Sequence, residues 1–146
     1  MPTPFESATL ILTLYDQRRE EVMRKARDYY IGKFDPRSFE DVMAGMAGPE
    51  GAYVRMVLSY WEQAASLVIN GAIDEKMFRD ANGEYVIVYG KIEPFIPQLR
   101  EMFGNPEFAA SLEKLTMGLP DARSRIDGTV ERVRTFMSKA AAAANG

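Results

Sequence analysis

The 146-residue chain has neither cysteine nor histidine. Without cysteine there is no disulfide, no thiolate ligand and no thiol nucleophile. Without histidine the commonest general base and the commonest nitrogen ligand are missing, so a Ser-His-Asp triad and a histidine-containing zinc or iron site cannot be built. Oxygen donors alone remain, so no transition-metal site and no cofactor is expected. Basic charge is also short: eighteen lysines and arginines face twenty-one acidic residues, a net charge of −3. A nucleic-acid binder draws its affinity from neutralised phosphates and shows a basic surplus, so no nucleic-acid partner is expected. No long uncharged apolar run occurs. The most apolar stretch, 52–69, contains Arg55, Glu62 and Gln63, which argues against a membrane span. The short apolar patch at Leu10–Leu14 has no basic segment before it, so no signal peptide is expected and a cytoplasmic location is the default.

What is present is a globular mixture, 47% hydrophobic and 27% charged, of one-domain length. Its periodicity is helical nearly throughout. A first helix is expected over Pro4–Gly32, with Ala8, Ile11, Tyr15, Val22, Ala26 and Tyr29 on one face. Ser38 has the position of a cap for a short helix. A second long helix, Ala52–Asn70, is apolar around most of its circumference and belongs at the centre, with Gly71 as its stop. Its polar residues make one stripe: Arg55, Ser59, Glu62, Gln63, Ser66 and Asn70. Asp74 caps the next short helix. The run Tyr85–Tyr89 has strand propensity, but Tyr85, Val88, Ile92, Ile96, Leu99 and Phe103 keep the helical spacing, so helix is expected, with Pro94 breaking or kinking it near Gly90. Asn105-Pro106-Glu107 has the signature of another helix start, ending near Gly118–Pro120. The last helix begins near Asp121, and the tail 140–146 is expected to fray. The expected fold is all-α: a single-domain antiparallel bundle of about six or seven helices.

Several of these stretches together resemble a family. Met23-Arg24-Lys25-Ala26-Arg27 in the first helix, Trp61-Glu62 in the central one, Gly71-Ala72-Ile73-Asp74 after it, and Tyr89, Pro94 and Arg100 at their spacing are similar to small bacterial helical proteins classed as a domain of unknown function. The resemblance covers roughly residues 10–115. It implies an all-helical fold, with helix at Tyr85–Ile92. It implies no activity and no catalytic residue, and the last helix lies outside it.

Four groups of side chains are candidates for a role. Glu62 lies on the most buried helix inside the polar stripe, where a carboxylate is either an acid–base group beside a pocket or half of an ion pair. Arg18 and Arg19 flank the apolar face of the first helix and are the expected partners of Glu62 across the helix interface. Tyr60, Trp61 and Tyr89 are either pocket aromatics or core. Ile126, Val130, Val133 and Met137 form a narrow stripe on the last helix. That stripe either pairs two chains as a symmetric homodimer or folds back on its own bundle. The arginines Arg123, Arg125, Arg132 and Arg134 alternate with acids and suit a solvated face. Two functions are compatible with this inventory. The leading one is a non-catalytic helical interaction or scaffold protein. The alternative is a small-molecule binding module, or a carboxylate-dependent enzyme, with a pocket near Glu62.

Overall fold

The helix with apolar residues on nearly every side is the centre of the structure. A computed structural model describes residues 1–146, and in it Gly51–Ile69 is the helix against which five others pack. In chain order the helices are α1 (Pro4–Arg18), α2 (Glu21–Gly32), α3 (Phe39–Ala47), α4 (Gly51–Ile69), α5 (Glu75–Ala81) and α6 (Glu84–Ile92). A 3-10 turn (Glu93–Phe95) follows, then α7 (Ile96–Phe103), α8 (Ala110–Met117) and α9 (Ala122–Ala144). There is no strand. The all-α bundle is as expected, with more and shorter helices than six or seven.

The extra helices have local causes. The single helix expected over Pro4–Gly32 is two, because Glu20 leaves the helical region (ψ 145°) and its carboxylate accepts the N–H groups of Val22 and Met23, capping α2. Asn105-Pro106-Glu107 does not start a helix. It forms a turn in which Asn105 Oδ1 accepts the Glu107 N–H, and α8 begins only at Ala110. Thr3, Ser38 and Asp74 cap α1, α3 and α5 through their side-chain oxygens. The segment Tyr85–Ile92 is helix with every residue buried, which explains its strand-like composition: a helix covered on all sides has no polar face to reveal its period. The tail is helical to Ala144 and exposed from Ser138 onward.

The main core runs between α2, α4, α6 and α8. Trp61 stacks edge-on to Tyr60 (4.9 Å between centroids) and to Phe78 (6.4 Å), while Tyr30, Ile92 and Leu112 fill the space around them. Two close approaches set the helix geometry. At Gly51 a Cβ would stand 1.9 Å from the Met46 carbonyl oxygen, so only glycine lets the end of α3 meet the start of α4. At Gly90 a Cβ would stand 2.7 Å from Val130 Cγ2, where α9 crosses α6. The connections therefore bring the turn 105–109 against α4 on one side and lay α9 along α6 on the other.

Candidate functional site

Glu62 projects from α4 toward the start of α8. A helix start leaves backbone N–H groups unpaired, and the residue before α8, Ala109, has no side-chain acceptor to offer and takes the left-handed backbone (φ 58°). Glu62 supplies the missing cap from another helix: Oε1 accepts the Leu112 N–H (2.7 Å) and Oε2 the Ser111 N–H (3.1 Å). The ion pair expected with Arg18 or Arg19 is not made. Arg18 instead donates to Asn82 Oδ1 and lies over the rings of Tyr15 and Trp61, and Arg19 lies over Tyr15. The reason is directional, since Glu62 faces α8 while Arg18 sits over the Trp61 ring. Both oxygens receive backbone N–H groups, so the carboxylate serves as the cap of α8.

A cleft of about 350 Å³ opens beside it. Met46, Leu58, Phe103 and Phe108 form apolar walls, and Arg55, Ser59, Asn105 and Glu107 line the polar part with Glu62. The turn that makes one wall is held by two side chains at its C-terminal end. Arg100 Nε donates to the Phe108 carbonyl (2.9 Å) and its Nη2 to Glu113 Oε1 (3.2 Å), while Glu62 holds the amides beyond Ala109. The rings of Phe103 and Phe108 stand 5.3 Å apart. Arg55 gives one N–H to the Met46 carbonyl (3.2 Å) and is otherwise exposed at the mouth. Of the polar stripe of α4, Arg55, Ser59 and Glu62 line this cleft and Gln63, Ser66 and Asn70 do not.

The candidate pocket aromatics are elsewhere. Tyr60 donates to the Leu14 carbonyl, Trp61 Nε1 to Glu84 Oε1 (3.3 Å) and Tyr89 to Glu113 (3.5 Å); none of the three lines the cleft. They are core residues with a satisfied polar tip. Burial pushes the Tyr60 and Tyr89 phenols up.

Sequence reasoning missed two charged groups, Arg27 and Lys91. Arg27 grips Glu84 through Nε (2.9 Å) and Nη2 (2.7 Å), and that hydrogen bonding raises the guanidinium pKa further. Lys91 is only 3% exposed, and its Nζ donates to the carbonyls of Tyr30 (2.7 Å), Ile31 (2.9 Å) and Phe34. It closes the C-terminal end of α2 as Glu62 closes the N-terminal end of α8. Burial pushes its ammonium down to about 8, against the pull of Asp35. The one signal in the sequence is that Lys91 is the only cation in the apolar run 85–92.

The stripe on α9 is used within the chain. Ile126 is buried, Val130 lies on Gly90, Met137 Sδ is 3.8 Å from Lys91 Nζ, and Val133 is half-buried. Phe136 stays exposed on the same helix. The larger exposed apolar surface is on α1, where Phe5, Leu12 and Tyr15 face outward. No acidic side chains converge as metal ligands, and no helix is long and apolar enough to cross a membrane.

A family described as "Domain of unknown function (DUF4760)" covers residues 4–118. No curated protein and no solved structure matches the chain.

Proposed function

We propose that this chain, which belongs to that family of unknown function, is a non-catalytic module that holds a small apolar molecule in the cleft beside Glu62. The observation that carries this reading is the pinned turn 105–109. Arg100 and Glu62 hold Phe108 and the left-handed Ala109 in place beside Phe103, and the result is a preformed, largely apolar cavity of ligand size. The non-catalytic part rests on Glu62, whose oxygens are both occupied by backbone donors. Buried polar groups elsewhere are likewise satisfied, with Thr116 Oγ1 the one exception.

Nuclear magnetic resonance of the full chain with a set of small aromatic and aliphatic probes tests the reading. Shifts should concentrate on Met46, Leu58, Phe103 and Phe108, and Ser59→Trp, which places an indole at the mouth, should abolish them. Probes that leave these four residues unmoved at millimolar concentration would overturn it.

A specific observation also favours the interaction reading. Phe5 and Leu12 are 80% and 65% exposed, seven residues apart on α1, with Tyr15 one turn further on the same side. A face of this kind is suited to a second helix. Light scattering of the wild type beside Phe5→Ser/Leu12→Ser distinguishes the two cases, because only a self-associating face changes the mass with concentration.

A further inference from the structure

The arginines of α9 are unequally paired. Arg123 is clamped by Glu93 (2.6 Å) and Asp127 (2.7 Å), and Arg134 donates to Asp35 (3.0 Å). Arg125 and Arg132 have no carboxylate partner. Arg132 donates only to Thr129 Oγ1 (3.2 Å), and the Arg125 guanidinium makes no hydrogen bond. At i and i+7 they share one side of α9.

Both line a groove of about 470 Å³ bounded by α5, α6, the Leu119–Pro120 turn and α9. A third guanidinium enters it from α5. Arg79 is held rigidly, with Nη1 on the Tyr85 hydroxyl (2.8 Å), Nη2 on the Leu115 carbonyl (2.8 Å) and Nε 3.5 Å from Glu75. Asp80 is the one carboxylate lining the groove, and Lys76 neutralises it at 2.8 Å. Three guanidiniums therefore share a concave site, two of them without a carboxylate partner, on a protein whose net charge is −3. Like charges gathered in a cleft repel one another and focus a positive potential, which an anion relieves.

We propose that this groove binds a phosphate-bearing small molecule, with Arg79, Arg125 and Arg132 as donors to its oxygens. Guanidinium N–H forks match phosphate geometry, and three of them from two helices suit a tetrahedral dianion better than a planar monoanion. The remaining lining agrees. Thr129 and Asn82 are polar, and Gly83 opens the first turn of α6, which no side chain caps. The site is separate from the cleft at Glu62, so the two readings stand or fall independently.

Titration calorimetry of the full chain with pyrophosphate tests the assignment. Arg125 and Arg132 are exposed and hold no other element, so Arg125→Gln/Arg132→Gln should leave folding intact while weakening pyrophosphate at least about tenfold, the effect of losing charge-assisted hydrogen bonds. Lys33→Gln/Arg55→Gln removes the same charge from residues that line two other clefts and should change affinity less than about twofold. Inorganic phosphate should compete, and citrate should bind more weakly. Equal losses in both double variants, citrate binding as tight as pyrophosphate, or no binding at millimolar concentration would each overturn the proposal.

Discussion

Lys91 and Tyr30 bind each other's helices in opposite directions. The Lys91 ammonium donates to the Tyr30 carbonyl at 2.7 Å, and the Tyr30 hydroxyl donates to the Val88 carbonyl at 2.6 Å, one turn back along α6. Both side chains are buried. The last turn of α2 has no basic residue of its own, and Lys91 brings a charge to it from α6. Lys91→Met keeps the aliphatic stem and removes the donors, leaving buried carbonyls of Tyr30 and Phe34 unpaired. Urea unfolding should show a loss of about 1–3 kcal/mol. A midpoint equal to wild type would show that the ammonium contributes nothing to the end of α2.

The same group gives stability a pH dependence whose sign is fixed. Lys91 titrates at about 8 in the folded chain, against an ordinary value of 10.5. Between these values the unfolded chain binds the proton more tightly, so stability rises with pH across the window and the gain is lost as pH falls through the folded value. Tyr30, whose phenol burial pushes well up, works the other way above its ordinary value of 10.0, but it is present in wild type and variant alike. The stability difference between wild type and Lys91→Met, followed from about pH 7 to pH 10, should therefore grow in favour of wild type. A flat difference would mean that folding leaves this proton unaffected.

Glu62→Gln tests the cap on α8. Glutamine retains one acceptor but turns an amide NH2 toward the N–H of Ser111 or Leu112, and it removes the charge that opposes the helix dipole. The expected cost is about 1–2 kcal/mol. Hydrogen exchange should rise at Ser111 and Leu112 before it rises in α4. Unchanged protection at these two amides would show that Ala109 and its turn hold the helix start without Glu62.

The readable parts of this chain are those whose cause is local. The spacing from Tyr85 to Phe103 gives helix through a β-rich segment, and Ser38 and Asp74 cap the helices that follow them. The misread parts have distant partners. Asn105-Pro106-Glu107 has every mark of a helix start, yet α8 begins later, at the amides that Glu62 reaches from some fifty residues away. Glu62 itself stands out as a carboxylate on a buried helix, but its partners are backbone N–H groups, which every residue has and no pattern of letters marks. Arg27 and Glu84 illustrate the same limit, because nothing local links α2 to the first turn of α6. The break at Glu20 is local but atypical, since glutamate is not among the preferred capping residues.

The seat of α9 can be tested where it comes closest to the rest of the bundle. Gly90 has no side chain to hold Val130 away, and an added Cβ would stand 2.7 Å from Val130 Cγ2 and 3.4 Å from Ile126 Cγ2. Because α6 is buried on every side, it cannot retreat from the clash, and α9 must shift or the core must open. Gly90→Ala should therefore cost about 1–3 kcal/mol by overpacking, despite alanine's better helix propensity. Val130→Ala alone removes packing from a half-buried site and should cost less. Val130→Ala removes the Cγ2 methyl that the new Cβ would strike, so the double variant should recover much of the loss, giving a coupling energy that two independent sites would not show. Additive costs would mean that α9 does not lie on Gly90. If they came with a change of mass in light scattering, the stripe Ile126–Met137 would be pairing between chains rather than within one.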